Sequence, residues 1–231
     1  MYPYGFFWDS SLLILIPGIL LSAYASYKVN SVTSRYFNVK SEEGRTGYEV
    51  ARIILDSNGL QDIPVYPVPG NLTDHYDPSR RLINLSEEVY YGTSITSVSV
   101  AAHECGHAIQ HKKSYIPFSI RSAIVPAVNF ASSISWIIIM LGFFINNKFL
   151  WLGIILFSAA VLFQIVTLPV ELDASSRALK QLTSLNLISS EENYKGRKVL
   201  NAAALTYVAA ALASILQLLR LVLIANSRDN D

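Results

Sequence analysis

The sequence predicts a mainly α-helical membrane protein, with about four transmembrane helices and a small α+β cytoplasmic elaboration containing a β-hairpin. Three observations predict it. First, only 15% of the 231 residues are charged and 52% are hydrophobic, against roughly 25% charged in an average soluble protein. Second, the deficit is concentrated: uncharged runs of 18 residues (10–27), 26 (122–147), 22 (149–170) and 21 (199–219) hold 87 residues, over a third of the chain. Third, two polar segments, 28–121 and 169–201, lie between these runs and carry most of the charge. An ordinary soluble globule and a disordered chain are both excluded. A net charge of +1 offers no global field for nucleic acid. The single cysteine, Cys105, forms no internal disulfide.

A bilayer-spanning helix needs about 20 mainly apolar residues, which places spans at about 11–27, 123–145, 149–168 and 202–225. The first is short and contains Pro17-Gly18; Trp8 at one end and Tyr24 or Tyr27 at the other suit its two interfaces. The residues before it include no Lys or Arg, which a signal peptide would need, so it reads as a retained span. The second and third spans are joined by Asn146-Asn147-Lys148 in a tight helical hairpin. The fourth opens on Ala202, Ala203 and Ala204, small residues that allow close helix packing. Segment 28–121 carries ten Lys and Arg and segment 169–201 five, while the other side has only Lys148 and Arg228. Both polar segments are therefore expected on the cytoplasmic face of the plasma membrane. Two spans separate them, so they share a face whichever face it is.

Segment 28–121 reads as a small folded unit. Thr46-x-x-Glu49 is a capping-box pattern opening a helix through about Asp56, closed by Asn58-Gly59. Ile63 to Val68 is extended but broken by Pro64 and Pro67, hence at best an edge strand. Leu72–Tyr76 and Arg81–Leu85 flank the turn Asp77-Pro78-Ser79-Arg80 and predict the hairpin. From about Ser94 to His111 the pattern is helical.

Chemistry enters on that last helix, as His103-Glu104-Cys105-Gly106-His107. Residues four apart lie one turn above each other on the same helix face, so two imidazoles there can share one Zn2+ at about 2.0–2.1 Å. Glu104, about 100° round the helix, can reach a water beside the metal without ligating it, as a general base must. A helix with two merely buried histidines is the competing explanation. Zinc also needs a third protein ligand. His111 starts about 12 Å along the axis from His103, too far to share the metal. Lys113 stands where a metzincin would place its third histidine, which excludes that class. Cys105 points about 200° away from His103. His75 and a carboxylate of the other polar segment remain. Glu171 directly follows the third uncharged run, although an acid at a helix start near the membrane surface would look the same.

The stretch from Pro69 to Pro78, then Leu85-Ser86, then Val100 to Gln110 around the HECGH sequence, resembles the YugP-like neutral zinc metallopeptidases of bacterial membranes. Leu168-Pro169-Val170-Glu171-Leu172-Asp173-Ala174-Ser175 is similar to that family's second signature. The resemblance covers essentially the whole chain. It implies a single membrane-embedded peptidase domain over 1–231, a membrane gluzincin distantly similar to HtpX-like proteases. One catalytic Zn2+ would be held by His103, His107 and Glu171, with Glu104 as the base. One departure stands out: where the HtpX-like pattern places an aspartate four residues after the glutamate, this chain has Ser175, and Asp173 stands two residues after.

The expectation is a membrane-bound zinc endopeptidase that cleaves peptides or membrane proteins at the cytoplasmic face. His75 is a candidate oxyanion donor, and the hairpin a candidate edge on which substrate adds as a strand. Two rivals are an intramembrane site-2-type protease and a non-catalytic zinc-stabilised scaffold. Against the first, the HECGH helix runs at once into His111-Lys112-Lys113, and the chain contains no LDG or NPDG sequence.

Overall fold

Each uncharged run becomes a helix longer than the run itself. In the computed structural model, which describes residues 10–229, a 3₁₀ turn (Ser10–Leu15) leads into α1 (Ile16–Phe37). There follow α2 (Gly47–Ser57), β1 (Val65–Val68), β2 (His75–Asp77), β3 (Leu82–Ser86), the short α3 (Glu87–Tyr90) and α4 (Ile95–Lys112). Three long helices complete the fold: α5 (Ile116–Phe144), α6 (Asn147–Ser184) and α7 (Ser190–Asp229). Trp8, expected at a membrane interface, lies outside the described residues. Among those described, α1, α5, α6 and α7 are long and apolar enough to cross a membrane.

The long helices outrun the bilayer. Segment 169–201 consists of the polar end of α6, a turn through Asn186 and the polar start of α7. α6 continues through Pro169, which a membrane helix tolerates because its neighbours support the freed backbone. Glu171 is therefore deep inside a continuous helix and 2% exposed, so it is not a helix-start acid.

α4 is buried on almost every side, which its composition permits. Ala101, Ala102, Cys105, Gly106 and Ala108 are small enough for α2, α6 and α7 to close around it. Gly106 marks the tightest approach: a Cβ there would come within 2.5 Å of the Ala174 carbonyl oxygen on α6. The Cys105 thiol turns the other way, 3.6 Å from the Ala51 carbonyl of α2. Ser94 caps α4 through its side chain, accepting from the Ser97 N–H. α2 opens on the complete Thr46/Glu49 capping box, a motif whose Ncap residue typically contributes about 1 kcal/mol. Its C-terminus is closed by Lys112, whose ammonium donates to the Asn58 and Gly59 carbonyls.

The sheet has the order β1-β3-β2, with β1 parallel and β2 antiparallel to β3. The proline-broken segment is an edge strand as expected, and the hairpin forms around the Asp77 turn, whose carboxylate accepts from the Ser79 and Arg80 N–H groups. β2 is the opposite edge and lies against α4. The sheet, α2, α4 and α6 share one hydrophobic core that includes Ile54, Ile83, Leu85, Val98 and Val170.

This architecture predicts that labels at Ser79 and Ser190 react from one side of the membrane and a label at Asn146 from the other. Cysteine accessibility in intact cells and inverted vesicles tests it. Labels at 79 and 190 on opposite faces would contradict the helix order.

Candidate metal centre

α4 presents His103 and His107 one turn apart, their rings 4.8 Å between centroids, toward the flank of α6. Glu171 meets them there. Its Oε2 lies 3.3 Å from His103 Nε2 and 3.5 Å from His107 Nε2. Two donors each bound at about 2.0–2.1 Å to a tetrahedral zinc stand about 3.3–3.4 Å apart. The two Glu171 distances match that spacing, and the three donor atoms all lie within 4.8 Å of one another, a group that could hold a metal ion. These are the three residues expected from the resemblance. His75 is not among them.

The far side of each histidine is held. His103 Nδ1 is 3.2 Å from the Ser175 hydroxyl and His107 Nδ1 is 3.0 Å from Gln110 Oε1. With Nδ1 carrying the proton, each Nε2 lone pair points at the centre, the tautomer a metal requires. Gln110 is fully buried; its amide donates to the Val170 carbonyl at 2.8 Å and to Asp173 at 2.7 Å. Asp173 in turn accepts from Arg177 at 2.5 Å. Ser175, at the departure from the HtpX-like pattern, therefore contacts a histidine itself, while Asp173 acts through Gln110. The second oxygen of Glu171 is 3.1 Å from Arg121 on α5, and Tyr207 on α7 stands beside the same carboxylate.

Glu104 lies next to the centre without joining it. Its Oε2 accepts the Tyr76 backbone N–H of β2 at 2.9 Å. Burial pushes its carboxyl up to about 7; the nearby Glu171 and Asp74 add to this, and His103 opposes it. Asp74 is itself raised by burial against two hydrogen bonds from Ser86. His75 is exposed on β2. Its Nδ1 is 2.8 Å from the Thr73 carbonyl, which can only accept, so Nδ1 carries the proton. Nε2 then accepts from the Asn84 amide at 3.0 Å. A neutral His75 thus has no spare N–H. His111 is tied to the Tyr76 hydroxyl at 2.8 Å. Arg121, Tyr207 and Gln110 were not singled out from the sequence.

Two cavities meet at the centre, both lined by Asp74, His103, Glu104, Glu171 and Tyr207. One, of about 460 Å³, is walled by β2, the Asp77 turn and α5, with Arg121 and Ser122. The other, of about 340 Å³, extends between α1 and α7.

These features define a multi-helix membrane protein with a metallopeptidase-type donor set. The chain belongs to the family described as "Putative neutral zinc metallopeptidase", whose model matches residues 11–226. It is 52% identical over 222 residues, 95% of this chain and 99% of the relative, to "Putative membrane protease YugP" of Bacillus subtilis (strain 168). No solved structure matches it.

The close approach at Gly106 yields a prediction. Gly106→Ala should push α4 away from α6, costing about 1–3 kcal/mol as overpacking does, and weaken zinc retention by separating the histidines from Glu171. Thermal melts and metal titration of the purified variant measure both effects.

Proposed function

We propose that the protein is a zinc-dependent endopeptidase of the plasma membrane, working on peptides or membrane proteins at its cytoplasmic face. The sheet, α4 and the four spans act as one peptidase unit. The observation that carries this reading is the convergence of Glu171 on the two histidines, with Glu104 held beside them but outside the donor set.

Bound to His103, His107 and Glu171, zinc would supply a Lewis acid that polarises a carbonyl and acidifies water. Glu104 accepts the proton of the attacking water and passes it to the leaving amine. Its carboxylate is kept aimed by the Tyr76 N–H, which ties the base to the edge of the sheet. Gln110 fixes the His107 tautomer, Ser175 holds the His103 ring, and Arg121 orients Glu171 and balances its charge. The larger cavity runs along β2, where a substrate strand can lie across the site. For the oxyanion, the candidate donor is the Tyr207 hydroxyl, which lines both cavities beside Glu171, since a neutral His75 has no spare N–H.

The intramembrane rival is disfavoured because the histidine-bearing helix is not one of the four apolar ones. A zinc-stabilised scaffold would have no need of a carboxylate parked beside the donors.

Glu104→Gln should retain zinc and fold while losing peptide cleavage, since the amide is nearly isosteric but cannot take the proton. Unchanged cleavage by that variant would sink the general-base role.

Elemental analysis separates the other residues. Glu171→Ala should lose zinc and activity together. Tyr207→Phe should keep the metal and slow turnover by roughly 10²–10³-fold, the usual loss of an oxyanion donor. His75→Ala should also keep it, with a smaller loss. Zinc-free His75→Ala beside zinc-loaded Glu171→Ala would replace the third ligand by His75.

A further inference from the structure

The two cavities at the centre differ in character. The larger is bordered by charged and hydroxylic groups: His75, Asp77, Ser79, Arg121 and Ser122. The smaller is walled by Val29 of α1 and by Val199, Leu200, Ala203 and Ala204 of α7. Every ionisable group lining it apart from the Tyr207 phenol (Asp74, His103, Glu104 and Glu171) belongs to the centre or adjoins it. Away from the centre its walls offer a charged side chain only the hydroxyls of Thr33 and Thr206, and no lysine or arginine lines it. At about 340 Å³ it falls within the range of ligand sites.

Its place in the chain is equally informative. Val29 follows Lys28, which ends the first uncharged run, and Ala203 and Ala204 open the last span. The cavity thus sits where two membrane-crossing helices leave their apolar stretches. Leu72 also lines it, more than half exposed and with φ of 56°. A leucine rarely adopts left-handed backbone, and such strain persists mostly at functional sites.

Resting on the peptidase reading above, we propose that this cavity is the subsite for a large apolar side chain adjoining the scissile bond. The substrate is then an apolar segment of a membrane-bound polypeptide, presented between α1 and α7 at the membrane boundary. Ala203 and Ala204 set the depth of the subsite, and Leu72 covers the bound side chain from the solvent side. A methylene gained or lost in an apolar pocket changes the rate by about 10–200-fold, so the preference is measurable.

The test uses the full zinc-loaded chain in lipid nanodiscs and quenched fluorescent peptides that differ only in the residues flanking the scissile bond. Wild type should favour Leu or Phe over Ala by at least 10-fold in kcat/KM and reject Asp. Ala203→Leu, which fills the subsite, should lower the Phe-to-Ala ratio by about 10-fold or more. Val29→Ala, which widens it, should raise acceptance of Trp, and this second variant keeps the test decisive if the first folds poorly. Flat ratios in both variants overturn the subsite, as does a rate that follows lipid acyl-chain length instead of peptide sequence, which would make the cavity a lipid site. A zinc-loaded wild type that cleaves no peptide overturns the peptidase reading itself, and this inference with it.

Discussion

The contact of Gly106 with Ala174 is the constraint on which the site depends. Two histidines on one helix can be placed by the helix alone, because their separation is set by its pitch. The third donor comes from a different helix, and its reach to the pair is set by how closely the two backbones pass. Glu171 closes that gap because Gly106 presents no side chain to the Ala174 backbone. The glycine in HECGH is thus the residue that lets the motif meet its partner.

A second demand is electrostatic. Taking a carboxylate out of water costs several kcal/mol unless it is paired, and Glu171 is nearly fully buried. The Arg121 guanidinium, 3.1 Å away, is the cation that compensates its charge, while the two imidazoles face its other oxygen. Glu104 has no such cation. One backbone N–H holds it, and burial pushes its carboxyl up. Two glutamates within one pocket are therefore held in different charge environments by their neighbours alone.

What the sequence made legible follows from range. The four helices show in uncharged runs, the start of α2 in the Thr46/Glu49 pair, the hairpin in its Asp-Pro turn, and the histidine pair in its spacing; each is a local rule. Glu171 became visible because it breaks a long apolar run. Arg121, Tyr207 and Gln110 left no such mark. Arg121 looked like the charge that bounds a span, Tyr207 like one more aromatic in one, and Gln110 like a polar residue at a helix end. Their roles arise only when α5, α6 and α7 gather round α4, and no period or spacing encodes that. The helical continuity of α6 through Pro169 was hidden for a related reason: a proline beside a charge reads as a boundary, while packing against neighbours carries the helix past it.

One consequence concerns the division of the centre between two kinds of helix. His103, Glu104 and His107 ride on a helix anchored in the polar unit, whereas Glu171 and Tyr207 ride on α6 and α7, long rods that pass into the bilayer. Rods of this length respond to hydrocarbon thickness by tilting. A tilt of α6 shifts Glu171 relative to the histidines, so the thickness and order of the surrounding lipid become part of the candidate metal site's geometry. The membrane is then a mechanical component of this protein as well as its address.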